Sequence, residues 1–303
     1  MAEGWRGRSR GGKTGYRIFI YLLEKAGLGA AYTLLCFVAL YYIPAAPNST
    51  AEIWRYSRRI LGYGPLKSIM FIYRNYYAFG QSIIDKVAIS SGMEDRFSFT
   101  FQGADPVFRA FREGQGAITI GAHFGNWAAG EPFFRKYGAR LNLVMYDNES
   151  EDIKEVLDKN SEYGKSFKVI PVNKDNLAHI FMITEALDRG EVVSFLGDRY
   201  VNNEKLLKAD LLGREVNFPS GPYLLASKMK VPVYFYFAVR EGHRKYRFSF
   251  IRADIPERGK GVRPENEILR QFAGALGSEL SRHPEQWYNY YDFWGFRDKT
   301  SKI

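Results

Sequence analysis

From about residue 116 onward, short β-forming runs alternate with helical stretches, and this alternation restricts the fold more than any other feature of the chain. Ala117–Ile120 reads as a strand leading into Gly121-Ala122-His123, with a helix expected over Asn126–Tyr137. Strands follow at Leu141–Tyr146, Phe167–Val172 and Glu191–Leu196, the last ending at Gly197-Asp198-Arg199. Helices fall between them at Glu149–Tyr163 and at Asp175–Asp188, where Leu177, Ile180, Phe181, Thr184 and Leu187 share one face. A helix over Ser220–Met229, strands at Val231–Val239 and Tyr246–Ile251 joined by a turn at Glu241–Gly242, and a helix over Asn266–Ser281 complete the pattern. Such a chain folds as α/β, with a mixed, mostly parallel central sheet flanked by helices and a final antiparallel pair. Ligands of such sheets bind at the carboxyl ends of the strands, which is where His123 and Asp198-Arg199 lie.

The N-terminal fifth is of another kind. Arg6, Arg8, Arg10, Lys13 and Arg17 crowd the start against Glu3 alone, and no charged residue occurs from Ala26 to Ala46. That run of about 21 residues approaches the length a helix needs to cross a bilayer. Basic residues ahead of it assign the N-terminus to the cytoplasmic side. A long basic region and the interruption at Glu24-Lys25 disfavour a cleaved signal peptide. Gly27, Gly29, Tyr41, Tyr42 and Pro44 favour a helix that dips into one leaflet over a simple span, although a buried core helix would have similar composition. Residues 51–92 read as further helix, broken at Gly64-Pro65, with tyrosines interleaved with cations as at a lipid interface. The expected organisation is a basic N-terminus and membrane-anchoring helix over 1–50 and an α/β domain over 51–303, of which 51–92 is helical and membrane-proximal.

The net charge of +10 calls for an acidic partner or surface, while 46% hydrophobic content excludes a disordered chain. The basic cluster abuts an apolar segment and no nucleic-acid module is recognisable, so lipid is the expected partner and nucleic acid is not. The single cysteine, Cys36, rules out a disulfide within one chain and is expected to pack in its apolar run.

One motif is a decoy. Gly7 to Thr14 fits the phosphate-loop pattern G-x-x-x-x-G-K-[ST], but only six residues precede it and none forms the strand such a loop requires. The four histidines, His123, His179, His243 and His283, are not paired at metal-ligand spacing, and no CxxC, HExxH or GxSxG occurs, so no metal or cofactor is expected. His123 stands out by position, on a Gly-containing turn between a buried strand and the mouth of the expected helix. A helix N-terminus there would disfavour the charged ring and keep a neutral base near pH 7. From position alone, the ring could equally cap the turn.

Gly121-Ala-His123-Phe-Gly125-Asn126-Trp127 resembles the first block of the late lipid A acyltransferases, within the lysophospholipid acyltransferase superfamily, which carry HxxxxD/E. The similarity extends through Phe195-Leu-Gly-Asp198-Arg199, Phe218-Pro-Ser220-Gly221-Pro222 and Val231-Pro-Val233, and closes at His283-Pro-Glu-Gln-Trp287. It implies an acyltransferase of the bacterial inner membrane, on its cytoplasmic face, that takes a fatty acyl group from acyl carrier protein to a hydroxyl of a lipid-like acceptor. His123 would be the base. Backbone N–H groups near Gly125 and Asn126 would form an oxyanion hole. Asp198, Arg199, Ser220 and Gly221 would bind substrate, Asp198-Arg199 holding the acceptor head group or the donor's phosphopantetheine.

Two departures qualify this. The family's carboxylate, five residues after the histidine, is replaced by Ala128, and losing the corresponding partner of a serine-protease histidine lowers kcat by about four orders of magnitude. Either Ala128 replaces a Glu by design, or Glu131 or Asp147 supplies a carboxylate, or the chain is a lipid-binding pseudoenzyme. Between Leu141 and Asp188 there is also no arginine, where lipid A enzymes carry one, which leaves the acceptor open among lipid A precursors, aminoacyl lipids and aryl-polyene head groups.

Overall fold

A computed structural model of the protein describes residues 13–146, 167–172, 177–200 and 205–296. Three helices come first: α1 (Lys13–Ala45), α2 (Pro47–Arg59) and α3 (Pro65–Ala88). Proline at the first turn of α2 and of α3 supplies a preset φ where no N–H is needed, so Gly64-Pro65 starts α3 as the sequence indicates. A π turn and a 3-10 turn lead to β1 (Ser98–Gln102) and α4 (Ala104–Arg112). The strand–helix region contains β2 (Ala117–Gly121), α5 (Glu131–Lys136), β3 (Leu141–Tyr146), β4 (Phe167–Val172), α6 (Ala178–Asp188) and β5 (Val192–Leu196). Then come the hairpin β6 (Leu206–Leu211) and β7 (Arg214–Pro219), α7 (Ser220–Lys228), β8 (Val233–Gly242), β9 (Lys245–Arg252) and α8 (Pro264–Arg282).

The main sheet is seven-stranded in the order β1-β9-β8-β2-β5-β3-β4. Strands β8, β2, β5, β3 and β4 are parallel, while β9 pairs antiparallel with β8 and parallel with β1. Alternate residues of the central strands feed two cores: Ile118, Ile120, Val193, Phe195, Phe235 and Phe237 on one face, Ala117, Val192, Tyr234 and Tyr236 on the other. Burial on both faces explains why β2 and β5 read as continuous apolar runs. Phe272 of α8 closes the first face against Phe218, Tyr223, Phe235 and Phe237, and Phe108 of α4 and Phe134 near β3 close the second against Phe250.

The fold class agrees with the sequence reading, with local differences. The turn between the last two strands lies at His243-Arg244 rather than Glu241-Gly242, because β8 runs on through a bulge between Arg240 and Gly242. The helix expected over Asn126–Tyr137 is instead a 3-10 turn, Trp127–Gly130, followed by the short α5. The charged helix expected over Glu149–Tyr163 lies outside the described residues.

Helix α1 is broken at Gly27, whose φ of +77° only glycine adopts freely. The stretch Lys25–Ala45, which contains this break, has mean hydropathy 1.7 and is long enough to cross a bilayer. One row of it, Leu28, Ala31, Tyr32, Leu35 and Ala39, is buried. Leu35 approaches α3 so closely that a Cβ at Gly80 would fall 2.2 Å from its Cδ1. Burying Leu28 and Leu35 stabilises the docking by about 1.5–3 kcal/mol each. The opposite row is apolar yet exposed: Phe37 at 68%, Leu40 at 59% and Tyr41 at 67%. Cys36 also lies exposed, so the packing role expected for it does not hold. Its thiol points back toward the Tyr32 carbonyl.

Candidate active site

The three adjacent strands β8, β2 and β5 run in one direction and release their chains at one edge of the sheet. Arg240 lies near the end of β8, His123 follows β2, and Asp198 follows β5. Asp198 is fully buried, and its carboxylate organises the edge. It accepts the His123 backbone N–H on both oxygens at 3.0 Å, and Oδ1 lies 2.7 Å from the His123 Nδ1. Trp287 donates its indole N–H to Oδ2 at 3.2 Å. Burial by itself would raise the Asp198 pKa. The His123 charge and hydrogen bonds, with the Arg199 guanidinium beside them, outweigh burial and hold the carboxyl below the usual aspartate value. An ionised partner at Nδ1 fixes the tautomer with hydrogen on Nδ1 and leaves Nε2 as the basic atom. The imidazole is 17% exposed, so the ring is oriented from inside and reachable from outside.

The turn carrying His123 is held by backbone pairing rather than by a helix. Tyr288 donates its N–H to the His123 carbonyl at 2.9 Å. Phe124 bridges to Trp287 and Gly125 to Ala238. At Gly125 φ is +64° and a Cβ would meet the Ala238 carbonyl oxygen at 2.0 Å, so this position requires glycine twice over. His123 therefore does not sit at a helix N-terminus, and its ring is oriented by the contact with Asp198 rather than by a helix dipole.

The backbone N–H groups of Gly125 and Asn126, expected to serve as oxyanion donors or to position the site, are both engaged within the protein. The Gly125 N–H donates to the Gln286 carbonyl at 2.9 Å and that of Asn126 to the Ala238 carbonyl at 2.7 Å. The Asn126 side chain is buried and donates to the Ser82 carbonyl at 3.0 Å. Both residues hold the turn in place.

Asp198, expected from the sequence to bind substrate, is enclosed beneath the histidine and contacts its ring. Arg199 directs one guanidinium nitrogen to the Tyr288 carbonyl at 2.6 Å. Ser220 and Gly221 open α7, where Tyr223, one turn on, donates its hydroxyl to the Gly197 carbonyl at 2.8 Å and so ties the helix to the Asp198 segment. Ala128 lies in the 3-10 turn and brings no ionisable group. The side chain of Glu131 and all of Asp147, the other candidate carboxylates, lie outside the described residues. The residues missed in the sequence are Trp287 and Tyr288. Their only signal is the closing His-Pro-Glu-Gln-Trp block, which serves as the clamp on the histidine turn.

Among the described residues no group of three His, Cys, Asp or Glu is placed to hold a metal ion. The arrangement offers an imidazole base backed by a buried carboxylate, suited to removing a proton from a hydroxyl. No curated protein is matched by this chain. The family model described as bacterial lipid A biosynthesis acyltransferase does match it, over residues 71–294. That interval contains the histidine turn, the Asp198 loop and the clamp at 286–288, and so the chain belongs to the bacterial lipid A biosynthesis acyltransferase family, a membrane-associated family of acyltransferases.

Proposed function

We propose that this protein is an active O-acyltransferase in which His123 is the general base and Asp198 takes the orienting role of the acid that the family motif would have at position 128. The observation that carries this reading is the 2.7 Å contact between Nδ1 of His123 and the fully buried Asp198. Nε2 takes the proton of the acceptor hydroxyl as its oxygen attacks the acyl thioester carbon. The tetrahedral intermediate collapses to the ester, and the thiol leaves with the proton returned by the imidazolium. Asp198 stabilises the imidazolium between these steps without itself taking the proton.

The donor in this reading is acyl carrier protein, an acidic partner suited to a chain of net charge +10, and the acceptor is lipid-like. The exposed apolar row of α1, together with Leu66, Ile69 and Met70 of α3, supports a monotopic contact with the cytoplasmic face of the inner membrane. A membrane-crossing α1 would have to abandon the bond between Tyr32 and the buried Asp85 of α3.

The test is lipid mass spectrometry of one bacterial host expressing the chain, His123→Ala, or Ala128→Glu. The unaltered chain should add lipid species heavier by one acyl group, and H123A should add none. A128E should change the yield by no more than about threefold, since the imidazole already has its carboxylate. Acyl transfer by A128E alone would return the acid role to position 128 and make this chain a lipid-binding pseudoenzyme.

A further inference from the structure

Between residues 26 and 88, the interval that holds most of α1 with α2 and α3, the only acids are Glu52 and Asp85, and both are buried. Arg58, Arg59, Lys67 and Arg74 of the same interval are exposed. Every exposed charge on this helical layer is therefore positive. Among the described residues, Arg74 alone of the four meets an acid, Glu285 at 3.8 Å, an exposed pair too loose to neutralise it.

These cations border uncovered apolar surface. Leu66, Ile69, Met70, Tyr73 and Tyr77 recur at helical spacing and form one stripe of α3, and the first three are more than half exposed. Lys67 and Arg74, two helical turns apart, line one edge of that stripe. Tyr73 and Tyr77 neighbour Cys36 of α1, so the stripe runs on into the exposed Phe37, Leu40 and Tyr41. At the α2–α3 elbow the cations lie over aromatic rings. The Lys67 Nζ is 3.6 Å from the centre of the Tyr63 ring, and the Arg58 guanidinium is 5.9 Å from that of Trp54. Tyrosine and tryptophan beside lysine and arginine, next to bare aliphatic side chains, make up a surface seated at the head-group level of a bilayer. A border of one sign adds a preference, because it gains most where the leaflet carries net negative charge.

We propose that the α2–α3 elbow and the stripe beyond it form a docking surface for an anionic leaflet, with Lys67 and Arg74 reading head-group charge and Leu66, Ile69 and Met70 entering the apolar boundary. The proposal rests on the membrane contact inferred above and not on the transferase reading. An acidic protein partner would match the cations but leave the aliphatic row without a counterpart. Asn75, on the side of α3 away from the stripe, donates to the carbonyls of Glu285 and Trp287 at 2.9 and 3.0 Å. The leaflet and the clamp on the histidine turn thus share one helix, whose diameter of about 10 Å separates them.

The test is partitioning of the purified full chain onto vesicles of phosphatidylcholine, alone or with about 30% phosphatidylglycerol to make the leaflet negative. The unaltered chain should prefer the anionic vesicles by about 30-fold or more, and high salt should abolish the preference. Lys67→Gln with Arg74→Gln should cut the preference about tenfold or more, at roughly fivefold per cation, and change binding to neutral vesicles by less than about twofold. Lys228→Gln with Lys230→Gln, the same loss of charge at the end of α7, should change the preference by less than about threefold. Ile69→Ser with Met70→Ser should weaken binding to both vesicles alike, by about tenfold or more.

An unchanged preference in K67Q/R74Q would overturn the proposal and move lipid selection to the basic N-terminus. An equal fall in K228Q/K230Q would overturn it too, leaving net charge as the only cause. Weakened binding of acyl carrier protein by K67Q/R74Q, with the vesicle preference intact, would make this face a protein dock. Absence of binding to either vesicle would remove the membrane contact beneath the proposal, while the acyl-transfer assay would still report separately on His123 and Asp198.

Discussion

Two aspartates, both fully buried, flank the strand that delivers His123, and they are held in opposite ways. Asp198, on the β5 side, faces an imidazole, an indole N–H and a backbone N–H, and its carboxyl is held below the usual value. Asp85, on the β8 side, accepts from the hydroxyls of Tyr32 and Tyr246 and pairs with Arg240, yet burial pushes its pKa up. Equal burial thus has opposite electrostatic results. Asp198 is maintained as an anion for the histidine, whereas Asp85 is closer to a polar rivet that joins α1, α3 and the β8–β9 hairpin. In the proposed mechanism this separates a residue placed for chemistry from one placed for assembly.

The largest expected effect that would break this distinction is on turnover. Asp198→Asn should lower kcat by about 10²–10⁴ with little change in KM, because an amide cannot hold the imidazole in its basic tautomer or stabilise the imidazolium. Asp85→Asn should cost less than about tenfold in kcat, while increasing hydrogen exchange in residues 28–39 as α1 loosens. Equal losses in steady-state acyl-transfer assays would mean that both aspartates act in assembly alone.

Next is the clamp. Trp287→Phe removes one donor from Asp198 and keeps the ring contacts with Tyr56 and Phe293. It should lower stability by about 1 kcal/mol, read from denaturant unfolding, and kcat by about tenfold. A fall in stability without any effect on kcat would remove Trp287 from the support of the dyad.

The smallest effect is the sharpest in sign. Asp198 has a folded pKa below its unfolded value of about 3.9, so its contribution is present above that pH and is lost as pH falls through the folded value. Asp85 has a folded pKa above the unfolded one, so its contribution is present below about pH 4 and is lost as pH rises through the folded value. Thermal unfolding taken downward from about pH 4 should show the unaltered chain losing its margin over D198N while its margin over D85N stays constant. Parallel margins would erase the electrostatic difference between the two sides.

Much of this frame was legible in the sequence because each signal was local. The charge-free run, Gly64-Pro65, the apolar strands around Ile118 and Val193, and the pairing of the last two strands all depend on neighbours a few residues apart. The hairpin β6–β7 and strand β1 were not legible, since β1 is exposed at four of five positions and lacks the apolar signature of the central strands. The site was legible by position and illegible by partner. His123 and Asp198 could each be placed at a strand end, but their contact depends on β5 lying beside β2, a long-range pairing that no spacing announces. The same gap hides Asp198 from a motif read along one turn, since its carboxylate arrives from another strand. The hydrogen-bond acceptors of the Gly125 and Asn126 N–H groups, Gln286 and Ala238, lie far along the chain and could not be read from the turn itself.

The clamp on the histidine turn also has a consequence in time. His123 is made early, but the groups that fix its turn, Gln286, Trp287 and Tyr288, leave the ribosome last among the parts of the site. A nascent chain that has already formed β2 therefore carries an unconstrained imidazole and no working geometry. In the proposed mechanism the site is complete only once synthesis has passed residue 288, by which time the exposed apolar surface of α1 and α3 has long left the ribosome.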